Sequence, residues 1–178
     1  MRIIGGKWKG HPIPVDKKFN GRPTTDFARE GLMNTLHHML DWGSSSVLDM
    51  FTGTGAFALE CMSRGAEQTL ALDIQHHHIS HLSRVAKDWK IDRLQCIKTN
   101  SFDWIQNQSK SFDVIFADPP FDHPQLAQLP ELCIPHLTDS GLFILEHNDH
   151  FSFQDHECYL KEKKYGHVHF SFFTKLAV

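Results

Sequence analysis

Asp118-Pro119-Pro120-Phe121 places a carboxylate, two imino acids and an aromatic ring in consecutive positions behind the apolar run "FDVIFA". Proline has a fixed φ and no N–H, and Pro119 pushes Asp118 toward an extended backbone. The segment is therefore stiff yet keeps its carbonyl acceptors, and it holds the Phe121 ring at a set distance from the Asp118 carboxylate. A flat base could stack on that ring while its exocyclic NH₂ donates to Asp118 and to the Pro119 carbonyl. Such an amine is a weak nucleophile, because its lone pair is delocalised into the ring. Two acceptors in a dry site would aim that lone pair at an electrophilic carbon, and the gain would come from orientation and electrostatics. Viewed alone, the motif also fits a proline turn that buries a phenylalanine.

A second constellation lies upstream. In "VLDMFTGTGAFALE", Gly53 permits a tight turn and Gly55 lets the backbone approach a ligand. Asp73 ends the next apolar run, 20 residues after Gly53, where an acid can accept both hydroxyls of a ribose. Together these residues imply a nucleoside-containing cofactor. Read through Ala58, the loop also satisfies the dinucleotide pattern G-x-G-x-x-A. Two features argue against that: Asp49, just before the loop, would oppose a pyrophosphate, and no hydride-transfer machinery follows. S-adenosylmethionine is cationic at its sulfur and its amino group and carries no phosphate, so Asp49 favours it.

The elements that must position these groups alternate. "TTDFAREGLMNTLHHML" offers N-cap groups at Thr24, Thr25 and Asp26, then Ala28, Leu32, Leu36 and Leu40 at helical spacing with Met39 beside them. Strands are predicted over 46–51, 69–74, 94–99, 112–117 and 141–147, and helices over 56–65, 76–90 and 125–137. Residues 2–15 read as a hairpin or irregular arm, and the C-terminal run splits at Gly166 into an antiparallel hairpin. Strands that are near-continuous apolar runs, alternating with helices, imply a parallel sheet covered on both faces.

The 178 residues suit one domain, and 40% hydrophobic content suffices for a core. The expected layout is a single domain over 1–178, with an N-terminal arm over 1–23 and a catalytic body over 24–178. No apolar run approaches the ~18 residues of a membrane span, and "MRIIGGKWKG" lacks the apolar stretch of a secretory signal. Cys61, Cys96, Cys133 and Cys158 form no C-x-x-C pair, so neither a zinc site nor a disulfide framework is expected, and a reducing cytoplasm is. The net charge of −3 hides an asymmetry: residues 1–30 carry seven Lys/Arg against three Asp/Glu, and the remaining 148 carry 11 against 18. A basic arm on an acidic body suits a local polyanion contact, although short basic clusters are also ordinary solvated charge.

Other features carry less. His76, His77 and His78 are consecutive on a predicted helix, so their side chains diverge. They read as a solvated face, and no metal site is expected. His147 reads as a group that organises the sheet edge by hydrogen bonding. Phe170, Phe172 and Phe173 read as core filling. Trp8 suits stacking on an RNA base or packing of the arm.

"VLDMFTGTG" followed by "DPPF" resembles the amino-methylating S-adenosylmethionine-dependent methyltransferases. More narrowly, "MRIIGGKWKG", "RPTTDFAREGLMNTL", "LECMSRGA" and "GLFILEH" resemble the bacterial small-subunit ribosomal RNA guanine-N2 methyltransferases (RsmD type) over nearly the whole chain. The resemblance implies an α/β, Rossmann-like class I methyltransferase fold. Its sheet would be seven-stranded and mostly parallel, with an antiparallel last strand. It implies methyl transfer from S-adenosyl-L-methionine to the N2 amine of a guanine in 16S rRNA, on the small ribosomal subunit or an assembly intermediate, by a cytoplasmic monomer without membrane contact.

By position, the resemblance puts Asp49, Phe51, Gly53, Gly55, Asp73, Ile74, Asn100, Ser101 and Asp118 at the cofactor. Asp118, Pro119, Pro120 and Phe121 become the catalytic element. Arg2, Lys7, Trp8, Lys9, Arg22, Thr24 and Phe121 face the substrate. Family members often carry Glu where Asp73 stands, and the shorter acid still reaches ribose oxygens. Two alternatives stay open on the motifs. One is an adenine-N6 methyltransferase of DNA or RNA, which shares DPPF. The other is a non-catalytic cofactor-binding assembly factor, which needs the glycine loop but not Asp118 or Phe121.

Overall fold

The computed structural model describes residues 1–15, 19 and 24–176. Arg22, expected at the substrate, lies outside the described residues. Seven strands form one sheet: β1 (Ser46–Asp49), β2 (Gln68–Asp73), β3 (Leu94–Lys98), β4 (Phe112–Ala117), β5 (Leu137–His147), β6 (Tyr159–Tyr165) and β7 (Val168–Thr174). Their order across the sheet is β3-β2-β1-β4-β5-β7-β6. β1 to β5 run parallel, and β7 pairs antiparallel with β5 on one side and β6 on the other. The chain steps outward from β1 to β2 and β3, then returns to place β4 on the other flank of β1. This reversal opens a crevice at the carboxyl ends of β1 and β4, where ligands bind in such sheets. Register brings Asp49 beside Ala71 on one neighbour and Phe116 on the other. The exits of β1, β2 and β4 therefore open on the same edge of the sheet.

Helices α1 (Asp26–His37), α2 (Ala56–Ser63) and α3 (His76–Asp88) cover one face; α4 (Ser101–Gln106) and α5 (Leu129–Cys133) cover the other. Both faces are apolar, and β1 is buried along its whole length. The Thr25 hydroxyl caps α1 by accepting from the Ala28 amide at 3.2 Å. That helix buries Ala28, Arg29, Leu32, Met33 and Leu36. It ends at His37, so Leu40 falls just outside it. Among the described residues, no helix is long and apolar enough to cross a membrane.

Three local readings change. The helix expected over 125–137 is three short pieces, 3₁₀ turns Leu126–Gln128 and Ile134–His136 flanking α5. Pro130 and Pro135 remove amide donors that one continuous helix needs. β5 starts at Leu137, earlier than expected, and its register with β4 slips between Phe112 and Val114. The segment after β3 contains α4, which has only six residues and so too little periodicity to read. Its visible signal was the Asn100 cap, whose Oδ1 accepts from the Phe102 amide at 2.9 Å.

The N-terminal arm is closed by one isolated bridge, Arg2 to Pro12, with backbone bonds such as Ile3 amide to His11 carbonyl at 2.9 Å. It lies along α2. The carboxylate of Glu60, fully buried, accepts from the amides of Ile4 and Gly5, each at 2.8 Å. Ser63 takes the next turn, accepting from the Trp8 amide at 3.0 Å.

Candidate active site

The loop after β1 uses its two glycines in left-handed backbone, with φ 49° at Gly53 and 79° at Gly55. A Cβ on Gly55 would meet Leu82 Cδ1 at 2.5 Å. The Gly53 amide donates to Asp73 Oδ2 at 2.9 Å, which ties the loop to the end of β2. Asp73 Oδ1 accepts from the Gln75 amide at 2.8 Å, and His78 Nδ1 lies 3.0 Å from Oδ2. The ring of Phe19 packs on His78, centroids 5.3 Å apart, and reaches over Gly53.

Against this loop is a small cavity of about 60 Å³ in which two buried charged groups are unmet. Asp49 is 1% exposed. Its Oδ2 accepts from the Thr52 hydroxyl at 2.8 Å, while Oδ1 makes no well-formed hydrogen bond and the Ala58 amide offers only a weak one. Burial raises its pKa to about 7, and Asp118 and Asp73 push the same way. Arg29 is 3% exposed; its Nη2 donates to the Arg2 carbonyl and to Asp26 Oδ1, but among the described residues Nε and Nη1 have no partner. Buried polar atoms of charged groups that lack partners are costly. A ligand end bearing both an ammonium and a carboxylate, as in a free α-amino acid, would satisfy the two at once.

Phe51, Gly53, Thr24, Asp118 and Glu146 line both this cavity and an adjoining cleft of about 980 Å³. The cleft lies over the carboxyl ends of the strands and has the capacity of a small-molecule site. Asp118, Pro119, Pro120 and Phe121 all line it, with Asp73, Ile74, Asn100 and Ser101 further along. Among the described residues, no hydrogen bond uses the Pro119 carbonyl, whereas the Pro120 carbonyl accepts from the His123 amide at 2.9 Å. Burial raises the Asp118 pKa to about 7. Glu146, 3% exposed, is pushed well above the carboxylate range by burial and then by the Asp118 charge. The Thr24 hydroxyl donates to its Oε2 at 2.9 Å.

The comparisons agree with this geometry. The family profile described as "Conserved hypothetical protein 95" matches residues 1–174. The chain belongs to that family. Ribosomal RNA small subunit methyltransferase D of Buchnera aphidicola subsp. Baizongia pistaciae is 32% identical over 182 residues, spanning 99% of this chain and 92% of that protein. The protein of the same name from Escherichia coli is 30% identical over 141 residues, 79% of this chain and 68% of its own. The solved structure of the putative methyltransferase yhhF from Escherichia coli superposes with a TM-score of 0.86 at 28% identity, covering 100% of this chain and 99% of that one.

Within this member of the Conserved hypothetical protein 95 family, the expected residues divide into groups. Most of the cofactor and catalytic set converges on the cleft and its cavity. Asn100 and Ser101 are there, but both are already engaged: Asn100 caps α4, and the buried Ser101 hydroxyl donates to the Met50 carbonyl. Arg2, Lys7, Trp8 and Lys9 do not line the cleft. Lys7 and Trp8 pack at the far end of α2, about 12 Å along that helix from the glycine loop. Trp8 lies against Trp89 with ring centroids 5.8 Å apart, and Lys7 Nζ is 4.9 Å from the Trp8 ring.

Several cleft residues were not anticipated. His78 is drawn into the cleft by Asp73, so only part of the histidine run behaves as a solvated face. His123 lines the cleft and stacks on Phe102 at 4.4 Å. Tyr165, Gly166, His167 and Val168, at the β6–β7 turn, form a wall more than 40 residues from the DPPF segment. Arg29 had a legible signal, a cation set on the apolar stripe of α1 at helical spacing from Met33 and Leu36. Glu146 had a weaker one, a carboxylate inside an otherwise apolar strand.

Proposed function

We propose that the protein methylates the exocyclic N2 amine of a guanine in 16S rRNA, acting as a cytoplasmic monomer on the small ribosomal subunit or its assembly intermediate. The observation that carries this reading is the shared wall. The unmet Asp49 and Arg29 groups and the Asp118-Pro119-Pro120-Phe121 element line one continuous space. S-adenosylmethionine, when bound, supplies an electrophilic methyl group on a positively charged sulfur. Asp49 and Arg29 would hold its amino-acid end, and Asp73 its ribose beside Gly53. Phe121 stacks the target base, which must leave its own stack to reach the cleft. Asp118 and the free Pro119 carbonyl accept the amine hydrogens and orient its lone pair. Asp118 then takes the proton that the nitrogen sheds and passes it to solvent.

Guanine presents two adjacent donors, N1–H and N2–H₂, to the neighbouring carboxyl groups of Asp118 and Glu146. The curated relatives, named as methyltransferases of small-subunit ribosomal RNA, support the same substrate. The test is mass spectrometry of nucleosides from 16S rRNA of a strain lacking the gene, complemented with wild type or Asp118→Ala. N2-methylguanosine should be lost from one site and restored by wild type only. Loss of N6-methyladenine instead, or full restoration by Asp118→Ala, overturns the proposal.

A further inference from the structure

On the sheet face away from α1 to α3, three strands bring together ligands that no local sequence spacing announces. His147 on β5 sits directly opposite His169 on β7, and Glu162 on β6 pairs with Ser171 two residues further along β7. Directly paired residues point to one face of a sheet. One ligand atom from each of His147, Glu162 and His169 lies within 4.8 Å of the others. None of the three lines the cleft or its cavity. We propose that they form a binding site for a divalent transition-metal ion of the zinc type.

The protonation pattern supports this. His147 is fully buried, and its Nδ1 lies 2.8 Å from the Asn148 carbonyl. A carbonyl can only accept, so Nδ1 carries the hydrogen and the neutral ring presents Nε2 as a bare lone pair. Metal-ligating histidines are oriented in this way, through a backbone carbonyl on the other ring nitrogen. Nε2 lies 3.8 Å from Glu162 Oε1, and the Ser171 hydroxyl, 2.8 Å away, satisfies it in the absence of an ion. His169 is 7% exposed, and among the described residues its Nδ1 has no hydrogen-bond partner although Glu162 Oε1 is 3.3 Å away. A buried ring nitrogen that faces a carboxylate oxygen at 3.3 Å without an aligned hydrogen bond is suited to share an ion with it.

Donors around one tetrahedral zinc lie about 3.3 Å apart, given ~2.0 Å bonds. The separations here, 3.3 and 3.8 Å with an upper limit of 4.8 Å, need only small rotamer shifts. Lys164 does not occupy the site: its Nζ is 3.0 Å from Oε2 of Glu162, the other oxygen, and its side chain is 60% exposed. Two histidines and a glutamate match zinc chemistry, with a water able to complete the set. Such an ion would clip β5, β7 and β6 together beside the turn that walls the cleft.

The test uses the full-length protein, stripped with a chelator and titrated with Co²⁺ and Zn²⁺. Co²⁺ at one equivalent should give the intense visible absorption of a tetrahedral site, and Zn²⁺ should displace it and raise Tm. His169→Gln should abolish the band, and Glu162→Gln should weaken binding at least about tenfold. A paired His76→Ala, His77→Ala variant, which removes exposed adventitious ligands, should leave it unchanged. Glu162→Gln keeps the size and shape of the side chain, so that variant carries the test if His169→Gln fails to fold. The proposal is overturned by absence of stoichiometric binding, by a band that survives Glu162→Gln at full affinity, or by a band that disappears with His76 and His77.

Discussion

Asp118, at the exit of β4, and Glu146, near the end of β5, line one small cavity, and the charge of the first helps keep the second protonated. Burial raises Asp118 to about 7. In the free protein Glu146 therefore resists ionisation, and Asp118 is partly ionised near pH 7. The ionised form of Asp118 is the one that accepts from the amine, so methyl transfer should increase as pH rises through about 7. Because Asp49, also raised to about 7, meets the cofactor, the appropriate measurement is kcat/KM for the RNA at saturating cofactor, where Asp49 is already engaged. Glu146→Gln imitates the protonated acid and should keep this limb. If the limb vanishes in that variant, Glu146 is the group that titrates and the assignment to Asp118 fails.

Arg29 lines the same cavity, and among the described residues its Nε and Nη1 have no hydrogen-bond partner. Arg29→Met should weaken S-adenosylhomocysteine binding about 10- to 100-fold, the scale of a lost hydrogen-bonded charge contact. Binding of 5′-methylthioadenosine, which lacks the amino-acid end, should change little. Calorimetry with both ligands separates a binding role from a structural one. Equal losses would show that Arg29 only braces Arg2 and Asp26.

The parts of the site that could be read in advance are those encoded within a few consecutive residues. Gly53-Thr54-Gly55, the Asp73 spacing and DPPF each depend on backbone rules that operate over one turn or one strand. What escaped depends on long-range packing. The cleft wall at Tyr165 to Val168 exists because β7 inserts between β5 and β6, an order that local periodicity does not encode. The position of the basic arm escaped for the same reason. Its charges suggested a local polyanion contact without saying where, and Glu60 and Ser63 hold its tip along α2. Helix 125–137 was misread for a local reason that was visible, its two prolines.

The arm gives the next prediction. Glu60 is fully buried and accepts from the Ile4 and Gly5 amides and from Arg64 Nε, at 2.8, 2.8 and 2.9 Å. Glu60→Ala would leave two amides and a mostly buried guanidinium without an acceptor. Breaking a buried pair from one side costs about 3–5 kcal/mol. Thermal unfolding should show that loss, and trypsin should cut at Lys7 and Lys9 while the body is still folded. A variant as stable and as protected as wild type would mean that apolar packing of Ile3 and Ile13, not Glu60, holds the arm.

Asp49 is a buried acid kept for its ligand at the expense of the fold, and this has a pH signature. Its folded pKa is raised to about 7 from an ordinary value of 3.8. Below the lower value it is protonated in both states and contributes nothing to pH dependence. Between the two values the unfolded chain is ionised and the folded one is not, so folding must take up a proton and stability falls as pH rises. Above about 7 the penalty is complete, on the order of 4 kcal/mol for a shift of that size. Asp49→Asn should therefore match wild type at low pH, gain stability through the intervening range and keep that gain above it. Denaturant unfolding across the range measures this. The same variant should bind S-adenosylmethionine more weakly, because the acid that destabilises the empty fold attracts the ligand's positive charge. A variant that loses affinity without gaining stability at neutral pH would show that Asp49 is already neutralised by a partner in the folded protein.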